Sequence, residues 1–349
     1  MDFYKRPQSN TLRWLVFSGA AAGTLLLAYI PCAAWLTAPE GAEPALALFL
    51  LFVKQALTIS LLLIVPALWA RTAHLCGAWA LAVLACLAFG FGYALKKDAA
   101  FALYTMLFCT LPGAGLFLLQ KGKLTNFRTV LYESVLVLIA LFLYLCLPSW
   151  IESRNAYLPF RSVVLLYERM VEGLAPYASA ESGLEGYYTA LHDMVTLIKL
   201  NPETIGIPAL AAVSMCAGLS NVLFSHLLNC RGGAQLVKLP PFSEWRCERV
   251  FVFAATGFAV VTYAMALFGV SGMDTLASVA LLVWRLPCAL AGLSAIRRVS
   301  LRTHKNWIFV IVCLSVLLLP SFWPTALGLI GMIASLRMQT NDGKDGSKL

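Results

Sequence analysis

Long apolar runs separated by short polar segments dominate the chain. Stretches near 14–36, 45–70, 74–95, 99–119, 129–149, 205–229, 250–270 and 275–296 are each predominantly apolar. About 20 such residues, wound as a helix, cross the roughly 30 Å of a bilayer's hydrocarbon core. Strands of a membrane barrel would instead give short alternating segments. The pattern predicts an all-α, polytopic transmembrane helical bundle of about 8 to 10 spans.

Two regions depart from simple crossing. From Trp307 to Leu336 the apolar stretch exceeds one span, yet each half around Pro320-Ser321-Phe322-Trp323-Pro324 is short. One kinked, tilted helix or a hairpin of two short helices fits it, with the hairpin preferred. Between 150 and 204, apolar residues fall at helical spacing. Phe160, Val163, Val164, Tyr167, Met170, Val171 and Leu174 form one set, and Leu184, Tyr187, Tyr188, Leu191, Met194, Val195 and Ile198 a second. This predicts an extracytoplasmic pair of amphipathic helices broken near Pro176 and 178–183, acting as a cap on the bundle or a lid over a cavity. Asn201-Pro202-Glu203 then reads as the capped start of the next span. The chain thus divides into an N-terminal membrane segment (1–149, five spans), the helical insertion (150–204), a C-terminal membrane segment (205–338, three to five spans) and a polar tail (339–349).

Composition agrees with a lipid surrounding. Hydrophobic residues make up 60% of the 349 and charged residues only 12%, a balance that a soluble protein could not hide from water. The formal charge of +9 raises nucleic acid as a partner, but the basic residues sit between apolar runs and orient the chain instead. With Lys5, Arg6 and Arg13 in the cytoplasm, Lys121, Lys123 and Arg128 follow on the same side. So do Arg231, Lys238, Arg246 and Arg249, and then Arg297, Arg298, Arg302 and Lys305. Glu40, Glu43 and the acidic 150–204 insertion fall outside, and only Lys96-Lys97 runs against the rule. The expected location is a bacterial-type cytoplasmic membrane, with the N-terminus inside and the first run, followed by the poor cleavage site Leu36-Thr37-Ala38-Pro39, retained as its own signal.

The sequence offers little chemistry. Ten cysteines are scattered without CxxC or Cys/His spacing, so neither a metal site nor a disulfide framework is expected. There is no P-loop, no HExxH, no GxSxG and no acidic cluster, so no ATPase, no cofactor and no enzymatic reaction is assigned. Charges at membrane depth are the remaining pointers. Arg285 lies mid-run beside Trp284 and ahead of Pro287, where a loosened helix would let the guanidinium meet an anionic group; pairing with a glutamate on another helix is the structural alternative. Lys54 lies ten residues into the second run, too deep to snorkel easily. Glu133, at the start of the fifth run, is expected to be interfacial and paired with Arg128 or Lys123. Asn221 and His226 share a helix but stand five apart, off a common face. Gly19 and Gly23, with Ser18 and Ala22, form small-xxx-small pairs suited to close helix docking.

One stretch carries a resemblance. Asn201-Pro202 through Asn221, the loop Leu227-Leu228-Asn229-Cys230-Arg231-Gly232-Gly233, and Leu239-Pro240-Pro241-Phe242-Ser243-Glu244-Trp245-Arg246 resemble the YybS-like bacterial membrane proteins, catalogued as domain of unknown function 2232. Gly331 and Arg337 match the closing segment of that pattern, while Ala291-Gly292 stands where the family carries a polar Gln-Gly pair. The family is similar at long range to the S components of energy-coupling-factor vitamin transporters. That resemblance implies a small-molecule-binding subunit, docked through Gly19 and Gly23 onto a membrane coupling subunit served by separate ATPases. A structural or assembly scaffold without a small-molecule substrate is the alternative.

Overall fold

A computed structural model describes residues 10–37, 43–122, 124–155, 157–173, 175–177, 185–200, 202–230, 239–318 and 323–345. Lys5, Arg6, Glu40, Lys123, the 178–183 break, the Asn201 cap, Arg231 to Lys238, Pro320 to Phe322 and the end of the tail lie outside the described residues. Those described are helical or in turns, with no strand among them. Eight helical stretches are long and apolar enough to cross a membrane, and the protein is an integral membrane protein of the all-α, polytopic class. Large apolar side chains face outward along these helices, among them Trp14, Phe52, Phe253 and Leu267, as a bilayer allows and water does not.

The chain packs as two units, Met1–Val237 and Lys238–Leu349. The first holds α1 (Asn10–Tyr29), α2 (Pro44–Leu62), α3 (Val65–Cys76), α4 (Trp79–Lys96), α5 (Ala99–Lys121), α6 (Asn126–Ser153), α7 (Leu158–Glu172), α8 (Glu185–Leu200) and α9 (Glu203–Cys230). The sixth span, α9, packs along α6 and α3, so the packing division falls one span later than the segmentation at 150–204.

Local chemistry sets several ends. Asp98 accepts from the Ala100 amide at the start of α5, and Thr125 from the Arg128 amide at the start of α6, each satisfying a free helix donor. Lys97, the outlier of the charge pattern, adopts the left-handed conformation that closes α4.

The second span is broken. Leu63 and Ile64 interrupt it between α2 and α3, and Pro66, in the first turn of α3, supplies no amide to bridge the gap. The two halves have opposite surroundings. α2 faces mainly outward, whereas nine of the twelve residues of α3 are buried among α1, α4, α5 and α9. Trp69 is the centre of this packing: its indole N–H donates to Thr24 Oγ1 at 2.8 Å, and its ring lies over Gly113 of α5. The sequence reading ended this span at 70 and began the next at 74; instead Arg71, Thr72 and Ala73 are buried helix, and the chain turns at Gly77, whose φ of 99° suits glycine.

The amphipathic pair forms as expected. α7 packs on α8, with Val171 and Val195 buried and Lys199 donating to Glu168 Oε1 at 2.7 Å. α7 also packs on α2 and α6, and the Phe160 ring covers Gly206 of α9.

In the second unit, α10 (Arg249–Leu267) and α11 (Met273–Arg302) are followed by α12 (Asn306–Leu318) and α13 (Trp323–Asp345). The stretch after Trp307 is therefore two helices. α13 lies tightly along α11: a Cβ on Gly292 would collide with the Leu327 carbonyl, and one on Gly331 with the Cys288 carbonyl. Small residues let backbones approach this closely where lipid supplies no hydrophobic drive. Ser335 Oγ accepts from the Cys247 amide just ahead of α10, while Arg298 at the far end of α11 donates to the Ser243 carbonyl. Asn306, opening α12, accepts from Arg297. The start of α10, the end of α11, the start of α12 and Ser335 of α13 thus share one end of the unit, as a hairpin of α12 and α13 requires.

Candidate functional site

The first unit carries a polar seam inside its apolar core, at the end bearing Lys121 and Arg128. Four helices build it. α3 contributes Arg71 and, one turn on, His74. α5 contributes Gln120, α6 contributes Asn126 and Glu133, and α9 contributes Asn221, Ser225 and His226.

The hydrogen bonds run across helices. His74 Nε2 meets Gln120 Oε1 at 3.1 Å, and Gln120 Nε2 donates to Ser225 Oγ at 2.7 Å, linking α3, α5 and α9. The Phe117 ring holds the imidazole edge-on, with centroids 4.9 Å apart. On the other side of α9, His226 Nε2 meets Asn126 Oδ1 at 3.2 Å. Two turns deeper along α6, Asn221 Nδ2 donates to Glu133 Oε1 at 3.1 Å. Arg71 is buried with a solvent exposure of only 2%.

Glu133 and Asn221 are both fully enclosed, at 0% exposure. Of their four side-chain polar atoms, Glu133 Oε2 and Asn221 Oδ1 are buried with no hydrogen-bond partner. Buried polar atoms nearly always find one, and an ionised carboxylate with neither cation nor water costs several kcal/mol. The expected interfacial pairing of Glu133 with Arg128 or Lys123 is therefore corrected: its bonded partner is Asn221, 88 residues away, inside the bundle. The close crossing of α6 and α9 makes this possible. Gly218, one turn from Asn221, lies so near Ser134 that a Cβ there would stand 2.7 Å from the Ser134 amide nitrogen. Asn221 and His226, read as lying off a common face, both reach α6, because two helices crossing this closely present more than one row of side chains to each other.

The other sequence candidates lie elsewhere. Lys54 is half-buried on α2, within electrostatic reach of Cys32 and Lys96, toward the opposite end of the unit from the seam. Trp284 and Arg285 belong to the second unit. Trp284 is buried against Gly328 with its indole N–H unpartnered, and Arg285 is half-buried with its Nε unpartnered, no carboxylate pairing it among the described residues. The glycine pair of α1 divides: Gly23 is buried against Val65 of α3, while Gly19 has open space beside it and Ser18 and Ala22 are exposed.

Three features escaped the sequence. His74 and Gln120 are single polar residues near helix ends, a place where polar residues are ordinary. Arg71 falls between two apolar runs of the sequence, where a charge is ordinary, and its burial has no signal there. In the second unit, the thiols of Cys247 and Cys288 are hydrogen-bonded to each other, although the cysteines have no spacing that pairs them. Among the described residues no group of three or more His, Cys, Asp or Glu is arranged to hold a metal ion. The chain matches no family model, no curated protein and no solved structure, so its function is argued from the chemistry of this seam.

Proposed function

We propose that the protein is a substrate-binding or permease-like membrane subunit without an ATPase of its own, and that its working site is the polar seam between α3, α5, α6 and α9. The observation that carries this is the Glu133–Asn221 pair, fully enclosed at membrane depth with two unpartnered oxygens. Ionisable groups in that position are rare and expensive, and they mark ion and substrate paths. The broken second span supports the same role, since interrupted helices at membrane depth are tolerated where they line a site. On this reading the N-terminus is inside a bacterial-type inner membrane and the seam lies in its cytoplasmic half, which the bias of basic residues in the loops supports.

A coupling subunit with separate ATPases is the partner implied by the resemblance to energy-coupling-factor S components. Because Gly23 is filled by Val65, the docking face left on α1 is Ser18, Gly19 and Ala22. The rival scaffold role has one observation in its favour: Phe160 fixes α7 down on Gly206, as in a permanent cap and not a lid.

The test is a thermal-shift screen of purified protein against a broad panel of vitamins and metabolites, with Asn221→Leu as control. Stabilisation by one chemical class, lost in the variant, is the expected result. No shift with any compound, together with no co-purifying ATPase, would overturn the transport role in favour of the scaffold.

A further inference from the structure

We propose that the ligand of the Glu133–Asn221 pair is a proton: Glu133 is held as a neutral carboxyl whose O–H donates to Asn221 Oδ1, while Asn221 Nδ2 donates to Glu133 Oε1. The inference rests on reading this seam as the working site and says what that site holds.

An ionised glutamate only accepts; a primary amide has one acceptor oxygen and one donating nitrogen. Joined through Nδ2 and Oε1 at 3.1 Å, a carboxylate and an amide leave one oxygen on each side without a donor. Glu133 Oε2 and Asn221 Oδ1 are the two that remain. A single proton on the carboxyl supplies the missing donor, closes a cyclic acid–amide pair and removes the buried charge. Turning the amide round changes nothing essential. Its oxygen would then face Oε1, and only a proton between them would make that contact attractive.

A metal cation fits less well. Hard cations take about six or more oxygens, and the pair offers three, Glu133 Oε1 and Oε2 and Asn221 Oδ1. Adding Ser134 Oγ, whose hydrogen goes to the Val130 carbonyl and so supplies no donor to the pair, brings the set to four. Space on the α5 side is taken by Leu136, packed into Gly115.

No basic group on the helices packed against α6 replaces the proton. Lys121 of α5 is exposed at the helix end, and His226 of α9 is engaged with Asn126. Arg161 and Arg169 of α7 are exposed, while Glu168 of that helix pairs with Lys199. Glu133 is the fully buried carboxyl among the described residues, so its signal is separable from the others.

Infrared difference spectroscopy of the full-length protein in lipid bilayers reads the proton directly. At neutral pH we expect a protonated-carboxyl C=O band that shifts in heavy water, shifts again when glutamate is carbon-13 labelled, and disappears in Glu133→Gln. The labelled wild type keeps the test decisive even where the variant does not fold. Absence of a labelled-glutamate band at neutral pH would overturn the proposal. So would a Glu133-dependent thermal stabilisation by sodium, potassium or calcium salts over a choline salt of equal ionic strength, which would make the ligand a metal cation. The band tests the proton alone; the metabolite screen tests transport, and either can fail without the other.

Discussion

Replacing Gly218 with alanine sets a methyl group on the face where α9 crosses α6. The added carbon would stand 2.7 Å from the Ser134 nitrogen and 2.9 Å from its Cα. Both are backbone atoms of a helix and have no rotamer by which to retreat. Non-bonded heavy atoms settle at about 3.5 Å or more, so α6 must withdraw by about 0.8 Å from the 2.7 Å approach. The Asn221–Glu133 hydrogen bond, one turn along at 3.1 Å, would open to about 3.9 Å, beyond bonding distance. Overpacking costs about 1–3 kcal/mol and a lost hydrogen bond about 0.5–1.5 more. Alanine's better helix propensity offsets about 0.5–1 kcal/mol of that.

Gly90→Ala on α4 is the matched control, since nothing lies within 4 Å of its added carbon and only the propensity gain applies. The two variants should differ by about 1.5–4.5 kcal/mol, read from unfolding in mixed detergent–dodecyl sulfate micelles. Equal midpoints for Gly218→Ala and Gly90→Ala would refute the close crossing, and with it the reason Glu133 and Asn221 meet.

Other outcomes follow from the packing. Thr24→Val leaves the buried Trp69 indole N–H without its acceptor and should lower stability by about 1–3 kcal/mol in the same unfolding assay. Made on a Trp69→Phe background, Thr24→Val should cost less than on the wild type, because the indole N–H that needs the acceptor is then gone. Lys199→Met removes the pair with Glu168, whose side chains are 39% and 21% exposed, and should cost less than about 1 kcal/mol. A reporter fused after Lys121 should be active only in its cytoplasmic form, and one fused after Glu172 only in its exported form; the reverse pattern would overturn the orientation.

The membrane class and the eight helices long and apolar enough to cross were legible along the chain, because a span is a property of about 20 consecutive residues and their composition. The amphipathic pair was legible too: α7 lies against α2 and α6 and α8 against α7, so the apolar residues of each repeat at helical spacing. The break at Leu63–Ile64 and the burial of Arg71 were not legible, since Pro66 sits in an apolar run that reads as one helix whether straight or broken. Lys54 and Arg285 drew notice as charges in apolar runs, but no charged partner is bonded to either among the described residues. Glu133 lay nearer a basic loop and was read as its neighbour.

The physical reason is the solvent. In water, a helix shows its inward face by being apolar there and polar elsewhere. In lipid both faces are apolar, so periodicity does not say which side of α6 meets α9. That contact is decided by small residues, Gly218 against Ser134 and Gly331 against Cys288, whose value exists only once two distant segments are side by side. The sequence by itself determined that the chain belongs in a bilayer and which eight segments are long and apolar enough to cross it. Tertiary packing alone decided that Glu133 faces Asn221, 88 residues on, because close approach of backbones is a property of pairs of helices and of no single one.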